Sequence, residues 1–221
     1  MKLFRHYKNK PYKLIGTVKH SETLEDFALY ETRYENNLGN LWVRPKDMFF
    51  QDVTIQGKTQ PRFREIPLRI DAKTAITKRE IEIIAALMAK IFGDWDEASF
   101  FSTFNNHNKF HLLIGSAEEK PVAFKLGYEI DSKEFYSWLG GVDPEYRGLG
   151  IASDLMLAQH DWCRSQGYAA VQTKTQNRFR EMFILNLKHG FEVIGMHTTA
   201  QGDLKVILRK ALEGVGQNQH A

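Results

Sequence analysis

The stretch VDPEYRGLGIASDLMLAQH, residues 142–160, decides how this chain is read. A strand-like run ends at Val142, Pro144 punctuates it, and Gly148 and Gly150 follow in a short loop. From Ile151 the apolar residues fall at helical spacing. Ile151, Leu155, Ala158 and Trp162 share one face, and Gly167 suits the helix C-terminus. A strand, a glycine-containing loop and a helix start together make a place for an anion. The first N–H groups of a helix lack partners within it, and the helix dipole favours negative charge there. Glycines let the backbone approach an oxyanion with no Cβ in the way, and Arg147 adds a positive charge. The combination suits a pyrophosphate. Its spacing is neither that of a P-loop, which needs Gly-Lys-Ser/Thr, nor that of the dinucleotide-binding fingerprint.

Upstream of this stretch the pattern mixes α and β. LRI (68–70) reads as a strand, and Thr77-Lys78-Arg79-Glu80 is a capping box flanked by Ile76 and Ile81. Ile81, Ile84, Ala85, Met88 and Ile91 then follow helical spacing up to Gly93, and a shorter helix is predicted from about Asp96 to Thr103. FHLLIGSA and PVAFKLGYEI read as strands joined by a tight turn at EEK. EFYSWLGGV (134–142) is a third strand, weakened at its end by Gly140 and Gly141. Downstream, AAVQTKT (169–175) is a strand, RFREMFILNLKHG (178–190) a helix, and FEVIGMHTT with LKVILRKAL a closing hairpin.

The front of the chain differs. PYKLIGTVKH (11–20), DFALYETRY (26–34) and NLWVRPKDMFF (40–50) are aromatic and β-branched, with turn chemistry between them. These patterns divide the chain into a small β-rich domain at 1–67, a larger mixed domain at 68–213 and a frayed tail at 214–221.

Bulk properties exclude several classes. No window approaches eighteen consecutive apolar residues, so no membrane span is expected, and MKLFRHYKNKPYKL lacks the apolar core of a signal peptide. Cys163 is the single cysteine, which rules out an internal disulfide and suits a reducing cytoplasm. Residues 1–68 carry twelve Lys and Arg against eight Asp and Glu, in a chain whose net charge is +3. That is far from the dense basic stripe of a nucleic-acid binder.

Residues from about 68 to 212 resemble the GCN5-related N-acetyltransferases (GNAT). The resemblance rests on VDPEYRGLGIA, on the helix after it and on NRFREMFILNLKHGFEVIG. It implies a mixed, mostly antiparallel sheet flanked by helices, preceded here by an all-β, barrel-like unit. It also implies that the backbone of Arg147, Gly148, Leu149, Gly150, Ile151 and Ala152 holds the pyrophosphate of acetyl-coenzyme A. In the same frame, the exposed edge of SWLGGV near Val142 would pair with the pantetheine arm and meet the developing oxyanion, and Gly140-Gly141 would bend that strand away from its neighbour. Asn177 becomes a cofactor contact. Asn186 stands where many members carry a tyrosine that protonates the leaving thiolate. Asn can hydrogen-bond coenzyme A but cannot act as an acid, so water or another residue must deliver that proton.

Acetyl transfer needs a neutral amine, and a lysine-like amine with a pKa of about 10.4 is mostly protonated at neutral pH. Glu129 is the favoured general base, and Tyr136 a second catalytic candidate for polarising the acceptor or a water. The expected partner is an amine-bearing small molecule or peptide, with a homodimer left open. The alternative is a non-catalytic acyl-coenzyme A sensor or adaptor. His107 and His111 are four apart but enter a strand, so no metal site is expected. Residues 4–66 resemble a family of short bacterial domains of unknown function, through RHYKNKPYKLIG, HSETLEDFALYE and LWVRPKDMFF. That resemblance implies a compact β unit and no activity.

Overall fold

The computed structural model describes residues 2–34, 36–199 and 202–212, so the predicted tail at 214–221 lies outside the described residues. The chain forms two compact units. One comprises Met1–Arg69 with Ser116–Lys120 and Asp143–Gly150; the other comprises Ile70–Gly115, Pro121–Val142 and Ile151–Ala221.

In the first unit, β1 (Lys2–His6), β2 (Pro11–Lys19), β3 (Asp26–Thr32), β4 (Leu41–Pro45) and β7 (Phe63–Ile66) form an antiparallel sheet in the order β4-β3-β2-β1-β7. The sheet is open, with β4 and β7 at its edges, and does not close into the expected barrel. Its alternation places Phe4, Tyr30 and Phe63 on one face, where they bury Phe49 completely. Phe49 stacks on Phe63 with ring centroids 4.1 Å apart and 5° between planes. Phe49 sits on a short helix, α1 (Lys46–Phe50), where the sequence pattern had continued a strand. The reason is local. Met48, Phe49 and Phe50 are consecutive, so a strand would send Phe49 to one face and its neighbours to the other. A helical turn after Pro45 instead brings Phe49 and Phe50 both against Phe4. A separate hairpin, β5 (Asp52–Ile55) and β6 (Lys58–Pro61), turns at Gln56-Gly57 with φ of 50° and 77°, as two-residue hairpins require.

The larger sheet is built on β8 (Leu68–Lys73), β9 (His111–Ala117), β10 (Lys120–Glu129), β11 (Glu134–Val142), β12 (Ala170–Gln176), β13 (Glu192–Thr198) and β14 (Leu204–Ala211). Their order is β13-β14-β12-β11-β10-β9-β8. The β10–β11, β12–β14 and β13–β14 pairs are antiparallel and β11–β12 is parallel, so the sheet is mixed. Alternate residues of β10 serve opposite faces. Phe124 and Leu126 join Ile84, Leu87 and Met88 of α2 (Lys78–Phe92) and Phe100 of α3 (Glu97–Asn106). On another face, Phe135 and Val171 pack with Met156 and Cys163 of α4 (Ile151–Ser165). The helix α5 (Arg180–Lys188) adds Phe183 and Leu185 to that cluster. This is the predicted mixed sheet flanked by helices.

The capping box forms, with the Thr77 N–H donating to Glu80 Oε2 at 3.0 Å. The β9–β10 turn places Glu118 and Glu119 at φ of 50° and 64°. β11 runs through Gly140 and Gly141 to Val142, paired with Lys125, Phe124 and Ala123 of β10. A Cβ on Gly141 would lie 2.9 Å from Ile91 Cδ1, so glycine there admits the close approach of α2.

Candidate functional site

The loop after β11 is shaped by its own sequence. Asp143 Oδ1 accepts from the Glu145 N–H at 3.1 Å, and Pro144–Tyr146 form a single 3-10 turn. Gly148 and Gly150 follow with φ of 71° and 88°, a region that other residues enter at a cost. Arg147 and Gly148 are exposed, and Leu149 is buried beneath them. The Arg147 N–H donates to Pro144 O at 3.4 Å, so the first of the six anticipated amides is already engaged. Ile151 opens α4 directly after Gly150. Gly115 of β9 lets that helix start sit close: a Cβ there would be 3.4 Å from Ile151 Cγ2. Ala152 is half-buried in the first turn.

Basic side chains approach this loop within its own unit. Lys13 Nζ donates to Gly148 O at 2.8 Å, and an Arg33 guanidinium N–H donates to Arg147 O. Both cations also face Glu31, at 4.0 Å from Lys13 and 3.6 Å from Arg33. Nothing in the sequence flagged these two residues, which stand more than a hundred positions before the loop.

The parallel β11–β12 ladder runs from Glu134↔Ala170 through Tyr136↔Gln172 and ends there. Beyond it the Thr173 hydroxyl donates to Ser137 O at 2.8 Å, and β11 continues to Val142 along β10. The two central strands therefore part at Tyr136, four residues before the glycine pair. Val142 is buried at the strand end opposite Ala123.

Tyr136 lies at this fork. Its ring is 5.2 Å from that of Tyr128, and Lys174 Nζ is 5.9 Å from its centroid. Burial, and then Tyr128, push its phenol pKa up, so it keeps its proton. Trp138, two residues on, stacks on Phe100 at 5.2 Å and meets Tyr128. Tyr128, Trp138 and Lys174 were not legible as site residues, because each reads as an ordinary strand position.

Glu129 follows Tyr128 at the end of β10. It pairs across the ladder with Phe135, and its carboxylate is held by Lys109 Nζ at 2.6 and 2.8 Å and by the Tyr168 hydroxyl at 2.8 Å. The Lys109 hydrogen bond, followed by that from Tyr168, holds its carboxyl below the ordinary range. Glu129 and Tyr136 are diagonal neighbours on the β10–β11 ladder, but their side chains meet different partners: Lys109 and Tyr168 for the first, Tyr128 and Lys174 for the second. Glu134 is likewise tied to Arg209 Nε at 2.6 Å.

Asn177 is exposed and opens the 3-10 turn that follows β12. Asn186 is buried near the end of α5, where its carbonyl accepts from the N–H groups of His189 and Phe191. Gly190 has a φ of 80°. Cys163 is fully buried, and burial pushes its thiol up to about 12, so it is inert as a nucleophile. His107 packs against Tyr128 with its ring tilted, while His111 is buried and stacked on Trp162. Among the described residues no group of His, Cys, Asp or Glu could hold a metal ion, and no helix is long and apolar enough to cross a membrane.

Residues 81–191 match the family model of the acetyltransferase (GNAT) family, half of the chain. The chain belongs to the GNAT acetyltransferase family. Residues 2–65 match a second model, that of a protein of unknown function (DUF1653). No curated protein matches the sequence. Several solved GNAT-type structures share the fold. The ribosomal-protein-S18-alanine N-acetyltransferase of Escherichia coli is 17% identical with a TM-score of 0.57, over 70% of this chain and 100% of that one. Ard1 of Thermoplasma volcanium is 17% identical at 0.56, over 65% and 98%. A GNAT family acetyltransferase of Elizabethkingia anophelis, solved with acetyl-CoA bound, is 14% identical at 0.53, over 66% and 98%.

Proposed function

We propose that this protein is an N-acetyltransferase that moves an acetyl group from acetyl-coenzyme A to a primary amine of a small molecule or peptide. The observation that carries the reading is the β11–β12 ladder, which ends at Tyr136 on the strand that leads into the glycine loop. A strand edge left without its ladder can take up an extended chain of amides, such as a pantetheine arm, as an added strand. The residues present fit the group: two glycines with positive φ precede the first turn of α4. The backbone amides from Gly148 to Ala152 would hold the pyrophosphate, with Asn177 and Asn186 as further contacts. The acetyl-CoA-bound Elizabethkingia neighbour supports the same cofactor through the shared fold. When bound, acetyl-coenzyme A supplies an acyl group activated as a thioester.

The chain's own residues then orient and deprotonate the acceptor. Tyr128 and Trp138, backed by the buried Phe100, offer an apolar seat for the acceptor's body. Tyr136, kept neutral by burial, offers a hydrogen bond at the fork. The acceptor must lose its ammonium proton, which passes to water, since Glu129 is committed to Lys109 and Tyr168. A C–N bond would form as the C–S bond breaks, and one of the two protons left on the amine would leave with the sulfur or through solvent while the other stays on the amide.

Asn186 favours a second reading. A buried, non-ionisable residue at that place suits a sensor or adaptor that binds acyl-coenzyme A without turnover, its N-terminal β segment engaging a partner. Thiol release from acetyl-coenzyme A, measured across small amines and N-terminal peptides, separates the two. Amine-dependent release is expected. Tight binding with no release from any acceptor overturns the transferase reading in favour of the sensor.

A further inference from the structure

Lys13 and Arg33 stand on β2 and just beyond β3, in the segment matched by the model of unknown function. Both put their cationic ends on the loop, and both choose backbone carbonyls: Gly148 O for Lys13 and Arg147 O for Arg33. Arg147 O shares a peptide plane with the Gly148 N–H, and Gly148 O shares one with the Leu149 N–H. Both of these peptide bonds are trans, so within each plane the N–H points opposite to the C=O. A cation fixed on the carbonyl side therefore fixes the direction of the amide on the other side and polarises it toward its own acceptor. The fit is close. A Cβ on Gly148 would lie 3.1 Å from both terminal nitrogens of Arg33, tighter than an ordinary contact, and its φ of 71° is one that other residues enter at a cost. Glu31 is 4.0 Å from Lys13 and 3.6 Å from Arg33, and it holds both cations in place while offsetting part of their charge.

We propose that Lys13 and Arg33 are positioning residues for pyrophosphate binding: by gripping the carbonyls of Arg147 and Gly148, they aim the amides of Gly148 and Leu149 at the ligand. This rests on the coenzyme A reading above. It gives the N-terminal segment a direct part in cofactor selection, which its own sequence does not disclose. A loop of this kind without such a brace can rotate its peptides at little cost, because Gly148 and Gly150 are permissive at φ and ψ. Bracing moves that entropy cost from binding to folding.

The test compares two acyl donors in the full-length protein: acetyl-coenzyme A, and S-acetylpantetheine, which has no pyrophosphate. For the Lys13→Met/Arg33→Met double variant, kcat/KM with acetyl-coenzyme A should fall at least tenfold, mainly through KM, while kcat/KM with S-acetylpantetheine stays within twofold. Arg33→Lys in the Lys13 background should recover most of the loss. Equal losses with the two donors mean general damage and overturn the proposal, as do unchanged values with both. If the wild-type protein uses acetyl-coenzyme A no better than S-acetylpantetheine, the loop is not a pyrophosphate site, and the coenzyme A reading falls with the proposal. A clear wild-type preference that survives in the double variant sinks the brace alone.

Discussion

Two residues with similar sequence credentials have different fates. Glu129 is held by a cation and a phenol that lie 20 and 39 positions away. A carboxylate whose pKa is lowered by such partners is a weaker base, and its stabilising contribution has a definite pH sign. The contribution is present above the unfolded carboxyl value of about 4.3 and is lost as pH falls through the lower folded value. Glu129→Gln should therefore leave kcat within about threefold, against the roughly hundredfold or greater loss expected of a general base. It should lower the thermal midpoint at neutral pH, with the two proteins converging in acid. A hundredfold loss of kcat with an unchanged midpoint would restore Glu129 to the chemistry. Tyr136 sits at the fork itself, so Tyr136→Phe should lower kcat by about tenfold, in line with the loss of one well-placed hydrogen bond. Steady-state kinetics at saturating acceptor would show it, and an unchanged kcat would remove the phenol from the reaction.

At the scale of elements, what could be foreseen follows from what is local. Gly148 and Gly150 were legible because positive φ is a property of glycine itself, and the capping box because its partners are three residues apart. The faces of α4 were legible in part: Ile151 and Leu155 follow the apolar spacing, but Gln159 and His160, which are also buried, do not. α1 was hidden because its cause is distant. Phe49 is buried by Phe4, Tyr30 and Phe63, residues from three strands, and this overrides the strand-like composition around it. Phe49→Ala should cost about 3–5 kcal/mol, as for a fully buried aromatic ring. Denaturant unfolding should show that loss, and a cost below about 1 kcal/mol would mean that the ring is not the centre of this core. The fork between β11 and β12 was foreseen, but its position was not, because ladder length depends on residues of both strands.

For the whole molecule, two family models meet in one chain, and the two compact units do not follow their boundary. The loop Asp143–Gly150 groups with the N-terminal sheet, as does the turn at Ser116–Lys120. Glu118 in that turn is gripped by Arg5, with Nη2 at 2.9 Å, and by Arg64. The sequence predicts two domains and one anion loop. It could not show that Lys13 and Arg33 are partners of that loop, since contacts across 135 and 114 positions leave no periodicity to read. The central claim is that the glycine loop binds acetyl-coenzyme A, and calorimetric titration of acetyl-coenzyme A into the wild-type protein and Gly150→Glu tests it most directly. The account predicts saturable one-site binding to the wild type and none to the variant, whose side chain would add bulk and negative charge where a pyrophosphate must sit. Equal binding to the two proteins would contradict it.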